Sequence, residues 1–316
     1  MSDRAAVHGI HHVTCLAGDP QRCLDFYAGA LGLRLVKRSV NQDDPGTYHL
    51  FFADAEGTPG TDVTFFPRRG LAPGRKGAGQ VGEIALAVPA GSLAWWRARL
   101  EEHGAAPSVE AERFGERVMT FEDPDTLHLS LVGIEQDRAF APWRSSTVPV
   151  EHQIRGVHAV RIPERVLDPT ARLLLDTMGF ERAGEENGWR RYSAGENAGY
   201  VELRESPEAP YSRWGAGTVH HVAWRVSDDS EELSLRSAIE EEGLSPTPVI
   251  DRFWFRSVYF KEPGGTLFEL ATDGPGFARD EEPGKLGETL VLPPWLEPHR
   301  KEIEAALPPL EVPARA

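Results

Sequence analysis

Four short apolar runs punctuate an otherwise polar chain: GIHHVTCLA from Gly9, VGEIALAVP from Val81, GVHAVRIP from Gly156 and VHHVAWRV from Val219. Their β-branched and apolar content suits a pleated strand. After each run the apolar period lengthens to that of a helix. Apolar residues fall at Leu24, Tyr27, Ala28 and Leu31, at Ala171, Leu174, Leu175 and Met178, and at Leu235, Ala238 and Ile239 up to Glu242. The second copy is looser, with Leu93, Trp96 and Leu100. Asp19-Pro20 and Asp168-Pro169 each supply an N-cap followed by proline in the first turn, and Gly32, Gly104, Gly179 and Gly243 supply the stops.

The spacing repeats. The distance is 20 residues from His12 to Gly32, from Ile84 to Gly104 and from Ala159 to Gly179, and 22 from His221 to Gly243. A fixed register of this kind marks a repeated structural unit. Strand-like segments follow each glycine: 34–40, 48–53 and 62–66 in the first copy, 257–260 and 266–270 in the fourth. The unit therefore reads βαβββ. Turn-rich breaks at 70–82, 141–153 and 206–217 divide the chain into an N-terminal half of two modules (1–143), a C-terminal half of two modules (144–275) and an acidic, proline-rich tail (276–316). The tail holds one short helix candidate, Pro298 to Leu307, and is expected to pack on the body.

Two of the four equivalent slots hold histidine, His12 and His221, each preceded by a second histidine, His11 and His220. Side chains alternate along a strand, so His12 and Thr14 should face one way and His11 and Val13 the other, with the same split between His221 and His220. Glu269 interrupts the apolar final strand GGTLFELATD, where an isolated buried carboxylate is costly. Two imidazoles and this carboxylate can hold a divalent metal with coordination positions left open, a set suited to Fe(II) and usable by Mn(II), Zn(II) or Ni(II). Ile84 and Ala159 fill the slots of the middle modules and cannot bind metal, although Glu202 matches Glu269. Ligands from the first and last modules require modules 1 and 4 to lie side by side. His49, His103, His128, His152, His158 and His299 are read as structural.

Charge and composition narrow the partner. The chain has 316 residues and a formal charge of −15, which disfavours nucleic acid and anionic membrane surfaces and leaves a small molecule. No apolar run approaches the ~20 residues of a membrane span. Two cysteines, Cys15 and Cys23, form no disulfide framework, and with no basic-then-apolar leader the expected location is the cytoplasm. Cys15 reads as buried filler.

The module layout from Gly9 to Asp273, with GIHHVTCLAGD, GLRLVKRSVNQDDPGTYHLFFADAEGTPGTDVTFFP, TVHHVAWRV and KEPGGTLFELATD, resembles the vicinal oxygen chelate superfamily (glyoxalases, bleomycin resistance proteins and extradiol dioxygenases). Within it the likeness is greatest to hydroquinone-type ring-cleaving dioxygenases. The resemblance implies an α+β fold in which four βαβββ modules pair into two curved half-barrel sheets. It implies Fe(II) on His12, His221 and Glu269, with Thr14, His220, Arg252 and Tyr259 around them, and a small aromatic substrate and O2 as partners; a homo-oligomer is compatible with it. Tyr259 would donate a hydrogen bond, Arg252 would offset negative charge, and His220 would act as a general base. Arg252 and Tyr259 are seven apart, so both serve one cavity only if a turn or bulge intervenes. Phe253, Trp254, Phe255 and Trp224 are candidates to line the ring pocket. Alternatives are a catechol extradiol dioxygenase, a glyoxalase-type lyase or isomerase, and a non-catalytic binder of aromatics or quinones. The glyoxalase type usually has a second glutamate, but Thr64 stands at the matching place and Asp62 lies two residues out of register.

Overall fold

The computed structural model describes residues 5–136, 138–195 and 199–312. Module 1 supplies β1 (Ile10–Ala17), β2 (Arg34–Asn41), β3 (Asp44–Ala53) and β4 (Asp62–Pro67), and module 2 supplies β5 (Glu83–Pro89), β6 (Ala111–Arg113), β7 (Glu116–Glu122) and β8 (His128–Ile134). Module 3 supplies β9 (Val157–Glu164), β10 (Glu181–Glu186), β11 (Trp189–Ser193) and β12 (Tyr200–Glu205), and module 4 supplies β13 (Thr218–Val226), β14 (Ile250–Asp251), β15 (Arg256–Lys261) and β16 (Leu267–Thr272). In each module the first strand pairs in parallel with the last, which needs a crossover; the helix after the first strand begins it.

Two eight-stranded sheets result, curled into half-barrels. The first runs β14-β15-β16-β13-β1-β4-β3-β2 and the second β10-β11-β12-β9-β5-β8-β7-β6. Modules 1 and 4 share the first sheet, as the ligand argument requires, and modules 2 and 3 share the second. Each sheet thus draws one module from each half of the chain. The central seam of the first is the antiparallel pair β1–β13, the strands that carry the two histidine pairs.

The helices follow the apolar period with one difference. α1 (Pro20–Leu24) starts at Asp19, whose carboxylate accepts from the backbone N–H groups of Gln21 and Arg22, but from Asp25 to Ala30 the winding is π-helical. α3 (Asp168–Arg172) also passes into a π-helical segment, Leu173–Thr177. Asp168 makes no capping bond; it sits inside the first turn and pairs with Arg190 at 3.1 Å. α2 (Leu93–Glu102) and α4 (Asp229–Glu241) are regular, and Asp228 caps the latter. All four predicted stop glycines adopt positive φ, between +69° and +81°, which a residue with a Cβ adopts only under strain.

Helix residues Leu24, Tyr27, Leu235 and Ile239 share one buried apolar cluster with Val13 and Cys15 of β1 and Val222 and Trp224 of β13. The opposite side of the first sheet is left for chemistry. The tail lies along module 1: Val291 N donates to Arg38 O at 3.0 Å and Tyr48 Oη to Pro308 O at 3.0 Å, and α5 (Arg300–Ala306) matches the predicted short helix. No helix among the described residues is long and apolar enough to cross a membrane.

Candidate metal centre

A β-bulge sits at each histidine pair. Along β1–β13, Ile10 faces Trp224 and His12 faces Ala223, so His11 is an extra residue; Thr14 faces His221 and Cys15 faces Val219, so His220 is the extra residue of the partner strand. A bulge breaks strict alternation and re-aims its side chains. Both rings of the first pair therefore lie against Phe255, with centroids 5.3 Å from it, where alternation predicted opposite faces. His11 Nδ1 lies 2.9 Å from His12 Nδ1, and His220 Nδ1 lies 2.8 Å from His221 Nδ1. Each first histidine thereby fixes the ring of the second and leaves its Nε2 free to point inward. Burial, and then the neighbouring imidazole, lowers His11 and His220 to about 3, so both rings are neutral.

His12, His221 and Glu269 converge from three adjacent strands, and all three are buried. His12 Nε2 and His221 Nε2 are 3.2 Å apart, and Glu269 Oε2 lies 3.4 Å from the first and 2.8 Å from the second. Three ligand bonds of about 2.1 Å at right angles would separate donor atoms by about 3.0 Å, so this triangle has the size of one face of a metal's coordination sphere. Glu269 Oε2 accepts no well-directed hydrogen bond, while Oε1 accepts from Ser257 Oγ. Burial pushes the Glu269 carboxyl up, but His12 and His221 overcome this and hold it well below the usual carboxylate range. Burial lowers His221 despite Glu269. An ionised carboxylate and two imidazoles whose ring nitrogens converge on one point fit a divalent cation.

A cavity opens in front of the triad, with His12 and His221 in its wall. Arg252 and Tyr259 both line it, because residues 252–255 turn between β14 and β15, with Arg252 N donating to Phe255 O and Phe253 at φ +74°. Arg252 is held by Asp43 at 2.8 Å and lies over the Tyr259 ring. Burial, and then Glu269, raises the Tyr259 phenol, so it keeps its proton. Trp254 and Phe255 line the cavity as expected, but Phe253 packs on Trp295 outside, and Trp224 belongs to the helix-side core against Phe180 and Phe268.

Two further expectations change. His220 is stacked on Trp214 at 4.5 Å behind the ligands and is absent from the cavity wall, so it positions His221 and is badly placed as a general base. His49, read as structural, lines the cavity: its Nε2 lies 2.9 Å from Thr64 Oγ1, which bonds Thr14 Oγ1 at 2.8 Å. Thr14 reaches the cavity only through that chain. Burial, with His12 and His221 adding to it, keeps His49 neutral. Its signal was weak in sequence, one inward position in the alternating strand TYHLFFA. Thr64 faces Thr14 as Glu269 faces Ala223, so the mirror position of the carboxylate holds a hydroxyl. Asp62, two residues earlier, faces His12, and burial raises its pKa well above the ordinary carboxylate value.

The second sheet contains the counterpart of this centre. Glu83 faces Arg161 and Ala85 faces Ala159 across β5–β9, as His12 faces Ala223 and Thr14 faces His221 across β1–β13. Glu202 faces Arg161 as Glu269 faces Ala223. The residue equivalent to His12 is therefore Glu83, where even spacing pointed to Ile84; β5 lacks the extra residue that His11 adds to β1. Between the two carboxylates lies the Arg161 guanidinium, 2.8 Å from Glu202 and 3.5 Å from Glu83. Arg191 also binds Glu202 at 2.7 Å.

Residues 9–130 match the Glyoxalase/Bleomycin resistance protein/Dioxygenase superfamily. The chain is 47% identical over 305 residues, 96% of its length and 97% of the relative's, to a Bacillus subtilis (strain 168) protein provisionally named ring-cleaving dioxygenase MhqO. It is 33% identical over 311 residues, 94% of its length and 95% of the relative's, to the chlorohydroquinone/hydroquinone 1,2-dioxygenase of Sphingobium indicum. The crystal structure of a provisionally assigned dioxygenase from Bacillus subtilis superposes with a TM-score of 0.92 at 45% identity, covering 98% of this chain and 99% of that one. Whole-length likeness at this level, on a scaffold whose bulged seam gathers a buried His-His-Glu face, means that the chain belongs to the glyoxalase/bleomycin resistance/dioxygenase superfamily.

Proposed function

We propose that the protein is an Fe(II)-dependent ring-cleaving dioxygenase that opens a hydroquinone-type ring and incorporates both atoms of O2. The observation that carries this reading is a face of two imidazoles and one carboxylate opening into an aromatic-walled cavity, with the named activities of the whole-length relatives beside it. His12, His221 and Glu269 would hold the metal, and Fe(II) bound there supplies open coordination positions and the one-electron chemistry that dioxygen needs. The single charge of Glu269 leaves the centre one positive charge over, which favours a substrate monoanion in this buried setting.

The remaining residues have separable tasks. Tyr259 keeps its proton and donates a hydrogen bond to a substrate oxygen, and Arg252, braced by Asp43, stabilises negative charge as it develops. Phe51, Phe66, Trp254 and Phe255 hold the ring flat and exclude water. His11 and His220 lock the tautomers of the ligand imidazoles. A glyoxalase-type reaction would lack a second carboxylate here, since Thr64 occupies that place in a hydrogen-bonded chain.

The test is oxygen uptake after anaerobic loading with Fe(II). One O2 consumed per hydroquinone, with catechol slower and Zn(II) inactive, is the expected result. Turnover without oxygen on the Zn(II) form would replace this reading with a lyase, and ligand binding with no turnover would replace it with a binder.

A further inference from the structure

Part of the cavity wall is backed from outside the four modules. Trp254, which lines the cavity, is gripped by the segment that follows the last strand. Its carbonyl accepts from Gly276 N at 2.8 Å, and its indole N–H donates to the Asp280 carboxylate at 3.1 Å. Phe277 stands behind two cavity walls at once, with ring centroids 5.1 Å from Phe51 and 6.3 Å from Trp254. The grip is anchored by Lys37 of β2, whose side chain is fully buried. Its ammonium binds Asp280 at 2.7 Å, Glu281 at 2.5 Å and the Phe277 carbonyl at 3.1 Å, and lies 5.3 Å from the Trp254 ring centre. A buried cation holds its geometry only while its partners stay in place, so these contacts form one rigid clamp.

We infer that the segment from Phe277 to Glu281 sets the size of ring the cavity admits, with Asp280 and Lys37 acting as positioning residues that hold Trp254 in place. The inference rests on the ring-binding role of the cavity proposed above. An indole free to turn at χ1 and χ2 would let the cavity widen on the Trp254 side; a clamped one limits it to a single ring with small substituents.

The test measures binding, so that it stands apart from turnover. Fe(II)-loaded protein, kept free of oxygen, is titrated calorimetrically with hydroquinone and with phenylhydroquinone. The native protein should prefer the smaller ring, and Asp280→Ala should shrink that preference by about tenfold or more, the scale on which apolar pockets discriminate shape. Bound iron should remain stoichiometric. Phe277→Ala should shift the preference in the same direction, and Asp280→Asn, which keeps an acceptor for the indole, should stay near the native ratio. An unchanged ratio in Asp280→Ala and Phe277→Ala with full metal content overturns the inference, and Phe277→Ala decides alone if Asp280→Ala fails to fold. A shifted ratio in a protein that consumes no oxygen would leave the clamp standing and remove the dioxygenase reading.

Discussion

The two half-barrels share one topology and solve the same electrostatic problem in different ways. Each brings a glutamate, Glu269 or Glu202, to the last strand of a module beside a central seam, where a lone carboxylate would be costly. In the second sheet the neutralising cation is covalent: Arg161 extends from the seam into the position between Glu202 and Glu83, and Arg191 completes the shell. In the first sheet the residue at that position is Ala223, too short to fill the space, and the carboxylate faces two imidazoles. The scaffold creates the need for positive charge, and a few side chains along the seam decide whether the protein or a bound ion supplies it.

That contrast can be broken from either side. Glu269→Gln should lower metal affinity by more than about 100-fold, beyond the usual effect of an outer partner, while circular dichroism shows an intact fold. Glu202→Gln should leave metal content unchanged, yet lose about 3 kcal/mol of unfolding free energy in a denaturant titration, because two guanidinium groups lose a buried partner. A protein in which both variants lost metal equally would have no division of labour between the sheets. Arg161→Ala combined with Ala159→His should convert the covalent solution into the ionic one, and dialysis against Zn(II) should then find a second equivalent bound. His220→Ala should weaken metal binding by about 10- to 100-fold, since the ring of His221 loses its brace.

The smallest effect concerns the joint between the sheets, where Tyr27 of module 1 donates to Asp123 of module 2 at 3.0 Å. Burial raises Asp123 from 3.8 to about 6, against the hydrogen bonds it accepts. The folded state therefore holds a proton that the unfolded chain releases between these values. This contribution to stability is full below pH 3.8 and fades as pH rises towards about 6. Asp123→Asn should flatten the pH dependence of unfolding in that window and leave it unaltered above pH 7.

Much of this was legible in the chain, for reasons that can be assigned. The repeat, the helix stops at Gly32, Gly104, Gly179 and Gly243, and the grouping of His12, His221 and Glu269 followed from periodicity and from the rarity of a buried carboxylate, helped by the family resemblance. What escaped was any feature set by a local departure from regular geometry. The bulges at His11 and His220 are single-residue insertions that an alternating pattern cannot register, so even spacing matches Ile84 where Glu83 belongs, although His12 and His221 are the members of each pair that line the cavity. Arg252 and Tyr259 were reconcilable only through a turn at Phe253, whose positive φ no β-propensity would suggest. His49 and Trp224 show the remaining limit, because which face of a strand meets the helices depends on the neighbouring strand.

The seam between β1 and β13 also imposes an order on biosynthesis. His12 leaves the ribosome 209 residues ahead of His221, and Glu269 follows later still. Until β13 arrives, β1 presents an open edge of the kind that invites aggregation, and no nascent fragment that stops short of β16 can assemble the three-donor face. A cation held by His12, His221 and Glu269 would therefore report completion: only a polypeptide translated through its fourth module and closed on its first could retain one.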